Sequence, residues 1–172
     1  MCSSVESEGE WLMGTDVEKR YRRGGGRLHV MTAAAPANEL SGEKIMRGLL
    51  NKGLWALGHN AQGRAYLKSG DRLCFYLKSV GVVAEGTVAS AAIMRRLNAA
   101  YDAVRFPWAL RVKNVRYFFD RPVLIDESLR SQLDAFRGKD PKTTGAWLVR
   151  SSRLLSAHDF ERLVGRVRPS NR

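Results

Sequence analysis

Residues 52–90 read KGLWALGHNAQGRAYLKSGDRLCFYLKSVGVVAEGTVAS. A Gly70-Asp71 turn feeds the apolar run Leu73–Leu77, and a bend at Ser79-Val80 leads into a second apolar run from Val80 to Val88. An unbroken apolar run has no polar face to offer water, so the first strand, Arg72–Lys78, is expected to be central and covered on both sides. Val82, Val83, Thr87 and Val88 favour extended backbone in the second strand, Gly81–Ser90. Ahead of this hairpin Trp55 stands among glycines and small residues, and its ring is expected to be presented from a loop.

Outward from the hairpin the pattern alternates between strands and helices. Arg27–Thr32 is short and weakly alternating, and reads as a first strand. Asn38 is the expected cap of a helix running to about Lys52, with Leu40, Ile45 and Leu49 on one face and Gly53 as its stop. Ala91–Ala103 favours helix. Phe106-Pro107-Trp108 breaks that pattern. Ala109–Phe119 then alternates Leu110, Val112 and Val115 with Arg111, Lys113 and Arg116, giving a long strand with one core face and one positive face. Asp126 opens a helix striped by Leu129, Leu133 and Phe136, and Ser156-Ala157-His158-Asp159 carries a capping signal before Phe160, Leu163 and Val164. Strand pairs joined by hairpins rather than by repeated crossover units imply an α+β domain. Its sheet is expected to be curved, mixed and mainly antiparallel, partly closed into a barrel with helices around it. The domain is expected over residues 27–167, between a disordered leader (1–26) that ends in Gly24-Gly25-Gly26 and a basic tail (168–172).

The 172 residues hold 29 Lys and Arg against 17 Asp and Glu, a net charge of +12. The leader carries four basic and five acidic side chains, so the excess lies on the folded part. A domain this basic is suited to a polyanion, because neutralising each phosphate releases condensed counterions. Cys2 and Cys74 make no disulfide framework, which fits a reducing cytoplasm. No apolar run approaches the roughly 20 residues of a membrane helix, and the N-terminus has no secretory pattern, so no membrane partner is expected.

Catalytic signatures are missing. There is no G-x-x-x-x-G-K-S/T phosphate loop, no G-x-S-x-G nucleophile elbow and no zinc spacing of Cys and His. His29, His59 and His158 are scattered, and acids are sparse. No catalytic residue, metal or cofactor is therefore expected, and binding is left. Aromatic rings among cations hold an unstacked base, since every base offers a π-face. Trp55 and Trp108 each sit beside Gly or Pro, where a ring can line a site; Phe75 and Tyr66 read as core.

The segments L-W-A-L-G, R-A-Y-L-K-S-G-D-R-L-C-F-Y-L-K, G-V-V-A-E-G-T-V-A-S and F-P-W-A-L-R-V-K, with Trp147 ahead of Ser151-Ser152 and a final helix holding Asp159-Phe160, together resemble the EVE domain. That family is PUA-like and related to YTH domains. The resemblance covers about residues 28–166, and its specificity lies in the combined spacing. It implies a PUA-like pseudo-barrel that reads a modified base, chiefly modified cytosine in DNA, from an aromatic pocket. It further implies that Trp55 stacks on the base, that Trp108 and Tyr76 border the pocket, that Ser90 lies at its rim, and that Arg150 and Ser151 close over it. Where the family carries an aromatic after the Val-x-Ser strand, this chain has Ala91–Arg96, so that wall is either missing or supplied by Tyr101 or Phe106. Asn60 or a backbone amide near Leu57 is expected to read the base edge. Arg64, Arg95, Arg96, Arg111 and Lys113 are expected on phosphates, which position without specifying. An RNA-binding PUA-like module and a nucleoside sensor are the alternatives.

Overall fold

The computed structural model describes residues 27–34, 40–59, 61, 63–94, 106–140 and 152–165. In chain order these form β1 (His29–Ala34), α1 (Gly42–Leu50), β2 (Leu54–Leu57), a 3₁₀ turn (Arg64–Tyr66), β3 (Arg72–Leu77), β4 (Gly81–Val88), β5 (Ile93–Met94), β6 (Trp108–Tyr117), α2 (Glu127–Arg130), a second 3₁₀ turn (Asp134–Phe136), β7 (Arg153–Leu155) and α3 (Ala157–Val164). The leader, the tail and the expected Asn38 cap fall outside the described residues. No helix among those residues is long and apolar enough to cross a membrane.

The sheet runs β2-β6-β4-β3-β1-β7, with β5 also paired to β6. Among the described residues β1 and β3 run parallel, and every other strand pairing is antiparallel. The result is the curled α+β half-barrel expected from the sequence. The β3–β4 hairpin turns through Ser79, in the left-handed region at φ 65°, and Gly81 at φ 133°. A Cβ on Gly81 would sit 2.6 Å from the Val123 carbonyl oxygen, which pairs with Val82, so the position excludes a side chain.

β3 is central and covered on both faces, as its composition demands. Leu73, Phe75 and Leu77 point into one core, shared with Val30, Met46, Leu49, Trp55, Leu110 and Val112. Cys74 and Tyr76 point to a second core, with Met31, Leu129, Leu133, Phe160 and Leu163. Burial pushes the Cys74 thiol far up and the Tyr76 hydroxyl up as well, so both pack rather than ionise. The β1–β3 junction is fastened by Asp71, which is 1% exposed. Its Oδ1 accepts from the Leu28 N–H and its Oδ2 from the Lys68 N–H, both at 2.9 Å.

β6 keeps the expected alternation only to Lys113. Asn114 adopts φ 53°, and the β4–β6 register shifts between Glu85 and Thr87. This bulge advances the phase by one residue. Leu110 and Val112 face the first core before it, and Val115, Tyr117 and Phe119 face it afterwards.

Four local expectations change. The helix expected from Asp126 through Phe136 is α-helical only over Glu127–Arg130, and Asp134–Phe136 is a separate 3₁₀ turn. Leu54–Leu57 is a strand paired with Trp108–Arg111, where a loop was expected. Four residues flanked by glycines carry too little pattern to announce a partner more than fifty residues away. Ile93–Met94 begins the expected Ala91–Ala103 helix but is extended, pairing with Ala109 and Trp108. The α1 cap is Ser41, whose Oγ accepts from the Lys44 N–H at 3.2 Å. By contrast, the Ser156 cap of α3 is as read, accepting from the Asp159 N–H at 3.1 Å.

Candidate functional site

Pairing of β2 with β6 decides what the aromatic side chains can do. Trp55 lies opposite Leu110 and turns inward, leaving it 2% exposed. Its ring meets Phe75 edge-on, with centroids 4.8 Å apart. Its indole N–H donates to Thr32 Oγ1 at 2.8 Å, and Ser152 Oγ donates to the same oxygen at 3.1 Å. Trp55 is thus a satisfied core residue, which corrects the expectation that it is presented from a loop. Leu57 is buried likewise, at 1%. Tyr76 belongs to the opposite face of the sheet and cannot border a pocket with Trp55 or Trp108. That too is a correction, and its cause is strand alternation: Phe75 and Tyr76 are neighbours in sequence and opposite in direction.

Trp108 is different. It is half-buried at the start of β6, opposite Leu57 on one side and Met94 on the other. Its indole nitrogen is enclosed and has no hydrogen-bond acceptor among the described residues. Over its ring lies the Arg64 guanidinium, with Cζ 4.3 Å from the ring centroid. Phe106, also half-buried, stands two residues away. A ring that is partly open, beside a cation and with an orphan donor, has the parts needed to hold a flat polar ligand.

Arg64 is held over the ring by its backbone. Gly63 starts the 3₁₀ turn at φ 77°, and a Cβ there would meet Leu154 Cδ2 at 2.8 Å. The Gly63 carbonyl accepts from Tyr66 and Leu67, and Arg64 Nη1 reaches the Gly58 carbonyl at 3.5 Å. Arg64, expected on a phosphate, here stacks on an aromatic.

The expected phosphate contacts Arg111 and Lys113 are exposed on the face of β6 opposite to Trp108 and Leu110. Two residues apart on one strand face, they are roughly 7 Å from each other along the chain. Ser90 lies beside them, where its Oγ accepts from the Arg111 N–H at 3.4 Å and donates to the Ala91 carbonyl at 3.3 Å. The structure adds Lys52, which the sequence pattern does not single out. It is exposed one residue before Gly53, whose carbonyl accepts from the Val112 N–H at 2.8 Å. Only that strand register brings Lys52 beside Lys113, so no local signal marks it.

Several arginines are held in ion pairs. Glu85 holds both Arg72 (2.8 Å) and Arg116 (2.6 Å), Glu43 holds Arg47 and Asp134 holds Arg137. Among the described residues Lys52, Arg111 and Lys113 form no ion pair, so their charge is available to a polyanion. Asn60, Arg95, Arg96, Tyr101, Arg150 and Ser151 lie outside the described residues.

A groove of about 330 Å³ opens elsewhere, against the second core, with Arg130, Leu133, Asp134, Phe136 and His158 among its walls. Asp134, His158 and Asp159 approach one another there. Asp159 accepts from the Asp134 and Ala135 N–H groups at 2.6 and 2.8 Å, and Asp134 Oδ2 accepts from Ser156 Oγ at 3.0 Å. Those carboxylates fasten the second 3₁₀ turn to α3.

No family model matches the chain, and no curated protein matches its sequence. Solved structures do resemble it. The YTH domain of Mmi1, solved in complex with RNA, is 14% identical with a TM-score of 0.52, covering 81% of each chain. A hypothetical protein from Leishmania major is 14% identical with a TM-score of 0.52, covering 84% of this chain and 96% of its own. The YTH domain of the Zygosaccharomyces rouxii MRB1 protein, in complex with N6-methyladenosine RNA, is 16% identical with a TM-score of 0.50, covering 77% and 81%. The shared feature is the fold, a curled half-barrel with helices around it, as in the YTH domains.

Proposed function

We propose that this chain is a non-catalytic nucleic-acid-binding domain of the EVE type, which reads a modified base extruded onto Trp108 while Arg111, Lys113 and Lys52 hold the flanking backbone. The observation that carries the reading is the partly exposed Trp108 ring, whose indole N–H has no acceptor among the described residues. Stacking on such a ring is worth about 1–3 kcal/mol per base. Extruding the base costs a few kcal/mol, so a methyl group that adds apolar contact can tip the balance toward the modified form. The unpaired cations and the net charge of +12 supply the sequence-independent part of the affinity.

Two of the fold neighbours are solved with RNA, one of them with N6-methyladenosine RNA, and they support RNA as the nucleic acid. Resemblance to the EVE domain supports modified cytosine in DNA instead. A reducing cytoplasm, where Cys74 stays a buried thiol, is the compartment that fits. The test is a fluorescence-anisotropy competition among single-stranded RNA and DNA oligonucleotides of one sequence. Each carries one N6-methyladenosine, one 5-methylcytosine or no modification. Preference for one modified strand over its unmodified twin by tenfold or more supports the reading. Equal affinity for all strands would leave a nonspecific polyanion binder.

A further inference from the structure

We propose that Arg64 is a displaceable cover of the Trp108 ring, exchanging that ring for a phosphate when a nucleotide enters. The proposal rests on the reading of Trp108 as the base platform. In the free protein the guanidinium lies 4.3 Å from the ring centroid, on a face a base would need. Its other tie is one long bond of 3.5 Å to the Gly58 carbonyl, and among the described residues it forms no ion pair. Charge is permanent on arginine, and its planar fork matches phosphate oxygens. A guanidinium that leaves an aromatic face for a phosphate therefore gains a charged partner in place of a quadrupole.

The geometry of the turn permits the exchange without refolding. Gly63 fixes the backbone against Leu154, and the 3₁₀ turn is closed by the Tyr66 and Leu67 N–H groups on the Gly63 carbonyl. The long arginine side chain can then swing from a fixed base. Arg47, another arginine close over an aromatic ring, lies 3.8 Å from the Phe119 centroid but is pinned at 2.8 Å by Glu43, four residues away on α1. Arg72, 4.4 Å from the Phe160 centroid, is likewise held by Glu85. Arg64 lacks such an anchor among the described residues. Its cover therefore penalises an uncharged nucleoside, which must displace it without compensation, and favours a nucleotide, which offers the phosphate it moves to.

The test uses the full chain labelled with ¹⁵N, with the Trp108 indole signal assigned by its disappearance in Trp108→Phe. N6-methyladenosine, 5-methylcytidine and their 5′-monophosphates are titrated into wild type and Arg64→Ala. A ring that exchanges its guanidinium cover predicts about two- to fivefold tighter binding of the nucleoside by Arg64→Ala, the scale of one exposed cation–π contact. It also predicts weaker binding of the monophosphate, so the two ligands move in opposite directions. If Arg64→Ala leaves nucleoside affinity unchanged or lowers it while the Trp108 signal still responds, Arg64 is no cover, and the platform stands. If no ligand moves the Trp108 signal in either protein, the platform itself is refuted.

Discussion

Replacing Trp55 by Phe separates a core residue from a pocket wall. The substitution keeps an aromatic ring against Phe75 but removes the indole N–H that donates to Thr32 Oγ1 at 2.8 Å. A buried hydrogen bond of this kind contributes about 1 kcal/mol net. Thr32 keeps its second donor, Ser152 Oγ, so its oxygen is not left fully unpaired. The smaller ring adds a void, which costs about 1 kcal/mol more at a position 2% exposed. The destabilisation is then about 2 kcal/mol, within the 5–15 kcal/mol typical of a domain, so the variant should fold. With a urea slope near 2 kcal/mol/M the unfolding midpoint falls by about 1 M. Anisotropy with a modified oligonucleotide, measured on the folded variant, should match wild type. A variant of wild-type stability that no longer binds would refute the burial argument and return Trp55 to the pocket.

Three further outcomes test other parts of the account. Arg111→Ala with Lys113→Ala should weaken binding of every oligonucleotide alike and reduce the slope of log affinity against log salt by about 0.7 for each phosphate that is no longer neutralised; an unchanged slope removes them from the backbone path. Burial first, and then Arg72, hold the His29 pKa below its ordinary 6.5. The unfolded chain therefore takes up this proton before the folded one, and His29 costs stability as pH falls below about 6.5; Tm measured from pH 7.5 to 5.5 should drop less in His29→Gln than in wild type. Gly81→Ala should cost roughly 2–4 kcal/mol, because its Cβ would lie 2.6 Å from the Val123 carbonyl oxygen at φ 133°. Gly70→Ala, at φ 96° with nothing within 4 Å, should cost distinctly less in the same urea titration.

What the sequence disclosed follows the range of the interactions. The Ser156 cap and the β3–β4 hairpin are settled within a few residues, and both are where the pattern placed them. β3 announced burial on both faces by composition alone. The β6 alternation held until Asn114, where a single left-handed residue moved the phase. Long-range pairing was illegible. Trp55 looked exposed because Thr32, its hydrogen-bond acceptor, is 23 residues away and its strand partner further still. The Arg64–Trp108 stack joins two residues that no local pattern relates. The family resemblance implied that Trp108 borders a pocket, but it could not show that a guanidinium lies over the ring.

The central claim is that Trp108 is the surface on which a base is held. Trp108→Leu keeps apolar volume against the first core and removes the π-face. Unfolding in urea confirms the fold of the variant, and anisotropy compares the modified oligonucleotide with its unmodified twin. A base held on Trp108 requires the affinity of the variant for the modified strand to be lower by about tenfold or more, with little discrimination left between the two strands. A folded Trp108→Leu protein that binds the modified strand as tightly and as selectively as wild type would contradict it.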